Sequence, residues 1–142
     1  MNKFTLMPET DIPPGTYGSF TSNSENGFIL GIAGSTVPAI YNLQALTLNS
    51  GSQLQIVGPV VLTLSSGITL NASSGAGTSF SPSWLQIRVA SGGVTLNSSS
   101  MLYGEVVTPS GTITINSNAR LVGNLSADRL VVNSNGLVQI TN

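Results

Sequence analysis

The sequence predicts an all-β chain: a single-domain parallel β-solenoid, wound as a triangular β-helix, with an irregular N-terminal cap and essentially no helix. The first observation is one short word written five times: Leu46-Thr47-Leu48-Asn49, Ile68-Thr69-Leu70-Asn71, Val94-Thr95-Leu96-Asn97, Ile113-Thr114-Ile115-Asn116 and Leu130-Val131-Val132-Asn133. The Asn residues fall 22, 26, 19 and 17 positions apart. A strand this short, recurring at roughly 20-residue intervals, can bury its inner face only against its neighbours, which marks a coil built in rungs. The second observation is a period of two inside each word. It sends flanking apolar residues such as Ile113 and Ile115 inward and Thr114 outward. The third is punctuation: Gly and Asn recur too often to leave room for a helix.

Taken in order, residues 1–40 break the pattern and are expected to form the cap and irregular first rungs. Pro8, Pro13, Pro14 and Pro38 lie there with Glu9, Asp11 and Glu25, and Pro and charge are what proteins place at sheet ends to prevent edge pairing. Irregular rungs are expected around Phe28-Ile29-Leu30-Gly31 and Ala39-Ile40-Tyr41. Residues 41–142 are expected to hold the regular rungs, with a surface-loop insertion at 72–83. After each Asn a small polar corner leads to a second strand ending in Gly, as in Gln53 to Gly58, Met101 to Gly104 and Arg120 to Gly123. A third strand follows, at Val60 to Leu64, Leu85 to Val89, Glu105 to Thr108 and Asn124 to Ala127. Its exit corner is Gly-rich at Ser66-Gly67, Ser91-Gly92-Gly93 and Ser110-Gly111, where positive φ costs Gly nothing sterically. Three strands and three corners make one triangular turn. The chain then runs through Gly136-Leu137-Val138-Gln139-Ile140, an apolar strand with no charged guard.

Stacked in register, the corner residues Asn49, Asn71, Asn97, Asn116 and Asn133 are expected to form an amide-to-amide ladder, because Asn both donates and accepts. The simpler alternative is that each Asn favours a left-handed corner. Either role is structural. The outward residues Thr47, Thr69, Thr95 and Thr114 form a column of hydroxyl and methyl groups, interrupted at Val131. The blunt last strand makes Leu137, Val138 and Ile140 a candidate assembly edge.

Composition narrows the functions. Only 6% of residues are charged, with a net charge of −1, so there is no basic footprint for nucleic acid. There is no Cys and no His, which excludes Cys nucleophiles, a His general base and zinc sites built from them. No cofactor, metal site or catalytic residue is expected. No stretch has the apolar length of a membrane span, and residues 1–11 lack the run a secretory signal needs. The chain reads as a mature segment with an added Met, or as a domain cut from something larger. An enzyme acting on polysaccharide would need paired carboxylates. Glu105 and Asp128 are the only acids in the repeats, and they read more simply as corner residues or partners of Arg129 and Arg120. Phe80, Trp84 and Tyr103 read as core or corner aromatics in preference to a sugar platform.

The string Tyr103-Gly104-Glu105-Val106-Val107-Thr108-Pro109-Ser110-Gly111-Thr112-Ile113-Thr114-Ile115-Asn116 resembles exported bacterial β-solenoid domains of surface and pilus-associated proteins. Pro14-Gly15-Thr16-Tyr17 and Trp84 are similar to marks of the ice-binding-like solenoid family, whose long flanking helix has no counterpart here. Residues 121–130 resemble bactofilins, which are cytoskeletal solenoids that polymerise end to end. These resemblances imply an extracellular or cell-surface setting and a non-catalytic structural module, a homo-oligomer or polymer stacked through its end rungs into a rod or filament. The alternative they imply is ice or glycan binding through the Thr column.

Overall fold

The computed structural model of the 142-residue chain describes residues 10–11, 14–23, 27–78 and 81–140. Pro8, Glu9, Pro13, Glu25 and Phe80 lie outside the described residues. The strands follow as β1 (Thr10–Asp11), β2 (Gly15–Thr16), β3 (Phe20–Ser22), β4 (Gly27–Leu30), β5 (Ala39–Leu48), β6 (Gln53–Ile56), β7 (Val60–Leu70), β8 (Gly75–Ala76), β9 (Leu85–Val89), β10 (Gly93–Leu96), β11 (Met101–Ile115), β12 (Arg120–Val132) and β13 (Leu137–Ile140). One 3₁₀ turn, Pro82–Trp84, precedes β9, and no α-helix is present among the described residues. Every strand pair is parallel, and the chain climbs as a β-solenoid of about five turns.

Each turn passes through three faces. The first face stacks the words: β3 on the end of β5, then the ends of β7, β10, β11 and β12. The second stacks β1, β4, β6, β8 and the starts of β11 and β12, ending in β13. The third stacks β2 with the starts of β5 and β7, then β9 and the middles of β11 and β12. Long strands such as β11 turn the corner from third face to first without ending. Their register slips there, between Thr108 and Thr112 in β11 and between Leu43 and Ala45 in β5.

Alternation puts one residue in two inside, and register puts like over like. Leu46, Ile68, Val94 and Ile113 form one buried column, and Leu48, Leu70, Leu96 and Ile115 another. Tyr41, Leu62, Ile87 and Val106 form a third from the opposite wall. Tyr41 is fully buried, and its hydroxyl accepts a hydrogen bond from the Gly31 amide at 3.1 Å.

The structure redraws three details. The rung pattern begins before residue 41: Phe20-Thr21-Ser22-Asn23 is a sixth copy of the word, paired residue for residue with Leu46, Thr47 and Leu48. The expected insertion at 72–83 is shorter at its start, since Ala72 to Ser74 form a regular corner and β8 pairs normally on both sides. The described residues that leave the faces are 77–78 and 81–84. The left-handed residues are also not the corner Asn but the two that follow each of them: Ser50 and Gly51, Ala72 and Ser73, Ser98 and Ser99, Ser117 and Asn118, Ser134 and Asn135. Four of these five corners therefore hold two non-Gly residues in a region that costs about 1–2 kcal/mol each. The cost is offset by bonding between turns, because the second residue of each corner donates its amide to the first residue of the next, as Ser73 does to Ser98 at 2.9 Å.

Candidate binding face and assembly edge

The Thr column is in register throughout. Thr21 lies beside Thr47, Thr47 beside Thr69, Thr69 beside Thr95 and Thr95 beside Thr114, and Val131 ends the row. Stacked strands lie about 4.8 Å apart, so five hydroxyls recur at that interval along one face. Thr21 was not legible in the sequence, because its word carries Ser22 where the other copies carry an aliphatic residue. Two positions before each Thr stands a small residue: Ala45, Gly67, Gly93 and Thr112, then Arg129. The absent side chains leave a trough of about 340 Å³ beside the Thr column. Gly93 is required there: its φ is +142°, and a Cβ would come within 2.3 Å of the Thr112 carbonyl oxygen one turn on. The trough is uncharged until Arg129.

The Asn residues form the expected ladder. Asn71 Nδ2 donates to Asn49 Oδ1, Asn97 to Asn71, Asn116 to Asn97 and Asn133 to Asn116, at 2.8 to 2.9 Å. Asn23 adds a first member, its Oδ1 accepting from Asn49 at 2.9 Å. All five bonds run the same way, from the later turn to the earlier. Behind the ladder the corner closes on itself, with Ser52 Oγ and Ser74 Oγ donating to the carbonyls of Asn49 and Asn71. The Asn side chains are thus engaged in holding turn to turn.

The C-terminal edge differs from the expectation in which side chains it offers. Leu137 stands on the outward column of Met101 and Arg120, and Val138 packs partly against the core. Ile140 is 57% exposed on the column of Gly104 and Gly123. Leu137 is exposed as well, and apolar exposure extends one face back. Leu130 and Val132 are each 44% exposed, although they continue the columns in which Ile113 and Ile115 are fully buried. Among the described residues no strand lies beyond β13 on the second face, or beyond β12 on the other two.

The remaining candidates do not converge. Glu105 opens the third-face segment of β11 beside Gln86 and Asn124, while Asp128 lies at the next corner. Among the described residues neither forms the ion pair with Arg120 or Arg129 that the sequence suggested, and no cluster of three acids is present. Trp84 packs partly against the core. Tyr103 is not a core residue: it faces outward, half-buried, with its hydroxyl 3.8 Å from Met101 Sδ. No helix among the described residues is long and apolar enough to cross a membrane. Comparison with family models, curated proteins and solved structures gives no match.

Proposed function

We propose that this chain is a non-catalytic structural module that stacks through its C-terminal end rung into a rod, in a bacterial surface or extracellular setting. The observation that supports it is the exposure of Leu130 and Val132 at the ends of columns that are buried from Leu46 to Ile113 and from Leu48 to Ile115. An open strand edge over an open core is a template for another strand, because its amide and carbonyl groups and its apolar side chains gain together on pairing. A chain with 6% charged residues offers little repulsion to such contact. The surface setting rests on the likeness to exported solenoid domains. Sedimentation over a hundredfold range of concentration tests the assembly. The intact protein gains mass with concentration, and Leu130→Lys with Val132→Lys keeps it monomeric. A wild-type protein that stays monomeric throughout rejects the proposal.

A second reading is favoured by one observation, the five in-register Thr residues beside an uncharged trough. On this reading the face binds an ordered hydroxyl lattice, ice or a neutral glycan. Thermal hysteresis or glycan retention that Thr69→Lys and Thr95→Lys abolish supports it, and values equal to buffer reject it.

A further inference from the structure

We infer that the open end pairs with the same end of a second copy, across a two-fold axis through Val131, so that assembly closes at two chains. This rests on the end-stacking reading above and names its partner and its limit. The two ends of the solenoid are not alike. At the N-terminal end the core column of Leu46 terminates in Phe20, and that of Leu54 runs through Phe28 to Thr10. Those rings stack with centroids 4.8 Å apart, and Tyr17 lies against Phe20 at 5.2 Å. All three pack on the core, and β1 already pairs outside β4. A head-to-tail stack would have to seat an aliphatic rung on this aromatic plug. The C-terminal ends of the same columns carry Leu130 and Val138, with nothing over them among the described residues.

The ramp of the coil selects the axis. One turn climbs one strand spacing over three faces, so the last strands on the third, first and second faces stand about 1.6 Å apart in height. A two-fold normal to the coil pairs one face with itself and exchanges the other two. The gaps are equal on all three faces only when the self-paired face is the one of middle height. That face holds Leu130 to Val132. Two copies then run antiparallel, with Leu130 opposite Val132 of the second copy and Val131 opposite itself. The exchanged faces set residues 124–127 against 137–140. Alternation lets inward Leu125 and Ala127 lie opposite Ile140 and Val138 of the second copy, while outward Ser126 meets Gln139. Charge agrees, since the final turn carries only Asp128 and Arg129 and has no net charge to repel its like.

The chain has no Cys, so Val131→Cys introduces a single thiol. Val131 is half-buried and outward, beside Thr114, and a thiol there leaves the core columns intact. Only a two-fold brings two copies of residue 131 together. Oxidation or a short bismaleimide is expected to give a covalent species of two chains and nothing larger, and Thr21→Cys alone is expected to give none. Association without self-cross-linking of Val131→Cys overturns the two-fold but leaves end stacking standing. The sharpest form of that result is multimers formed only by Thr21→Cys with Val131→Cys, since head-to-tail stacking sets those positions side by side. Monomers at every concentration overturn both.

Discussion

The first described turns and the last are built on one plan and finish in opposite ways. Their core columns coincide residue for residue, yet the first turn fills two of them with Phe20 and Phe28, while the last fills them with Leu130 and Val138. A solenoid buries each turn against its neighbours, so the terminal turns are where side-chain size alone decides whether the core is shut. At one end the rings of Phe20 and Phe28 stack on each other against the core, and Thr10 pairs outside Phe28. Aliphatic residues fill the last described turn, where Leu130 and Val132 are exposed because no described strand lies beyond them.

The contrast is broken most severely by emptying the middle of a column and comparing it with the end. Leu96 is fully buried between Leu70 and Ile115, so Leu96→Ala should lower unfolding free energy by about 3 kcal/mol in urea titrations. Val132→Ala, at the open end of that same column, should cost less than about 1 kcal/mol in the isolated chain. Equal costs would mean that the last turn is as well packed as the middle. The ladder offers the same comparison at smaller scale. Asn97→Ala removes one bond to Asn71 and one from Asn116, a loss of about 2 kcal/mol by thermal or chemical denaturation. Asn133→Ala removes a single exposed bond and should cost about 0.5 kcal/mol. The smallest effect has the opposite sign. Thr108 is fully buried on the column of Leu43, Leu64 and Val89, and its Oγ1 has no hydrogen-bond partner. Thr108→Val replaces an unsatisfied hydroxyl by a methyl of the same shape and should raise stability by about 1 kcal/mol.

What the sequence made legible was whatever is local and repeated. Apolar–Thr–apolar–Asn states face, direction and corner within four residues, and register then follows because a one-residue slip would turn every apolar side chain outward. The ladder was legible for the same reason. Thr21 and Asn23 escaped because Ser22 breaks the apolar pair and because residues 31–38 lengthen that turn. The start of the insertion was misplaced because β8 is only Gly75 and Ala76, which carry no strand signature. The Pro and charge expected to guard the N-terminal end lie mostly outside the described residues, at Pro8, Glu9, Pro13 and Glu25, while the described first turn carries the ring cluster of Tyr17, Phe20 and Phe28. An aromatic in an irregular stretch gives no hint of which column it ends. The trough beside the Thr column was missed because it is made by side chains that are not there.

The ladder carries one last consequence. Each of its amides is a dipole of about 3.5 D, the magnitude of a peptide unit, and all five bonds from Asn49 to Asn133 hand their protons back toward the first turn. Backbone groups in the faces alternate up and down and largely cancel; this column does not. The dipoles of the ladder therefore add along the coil, and in two molecules joined about a two-fold normal to that axis the two ladders would point in opposite directions and cancel.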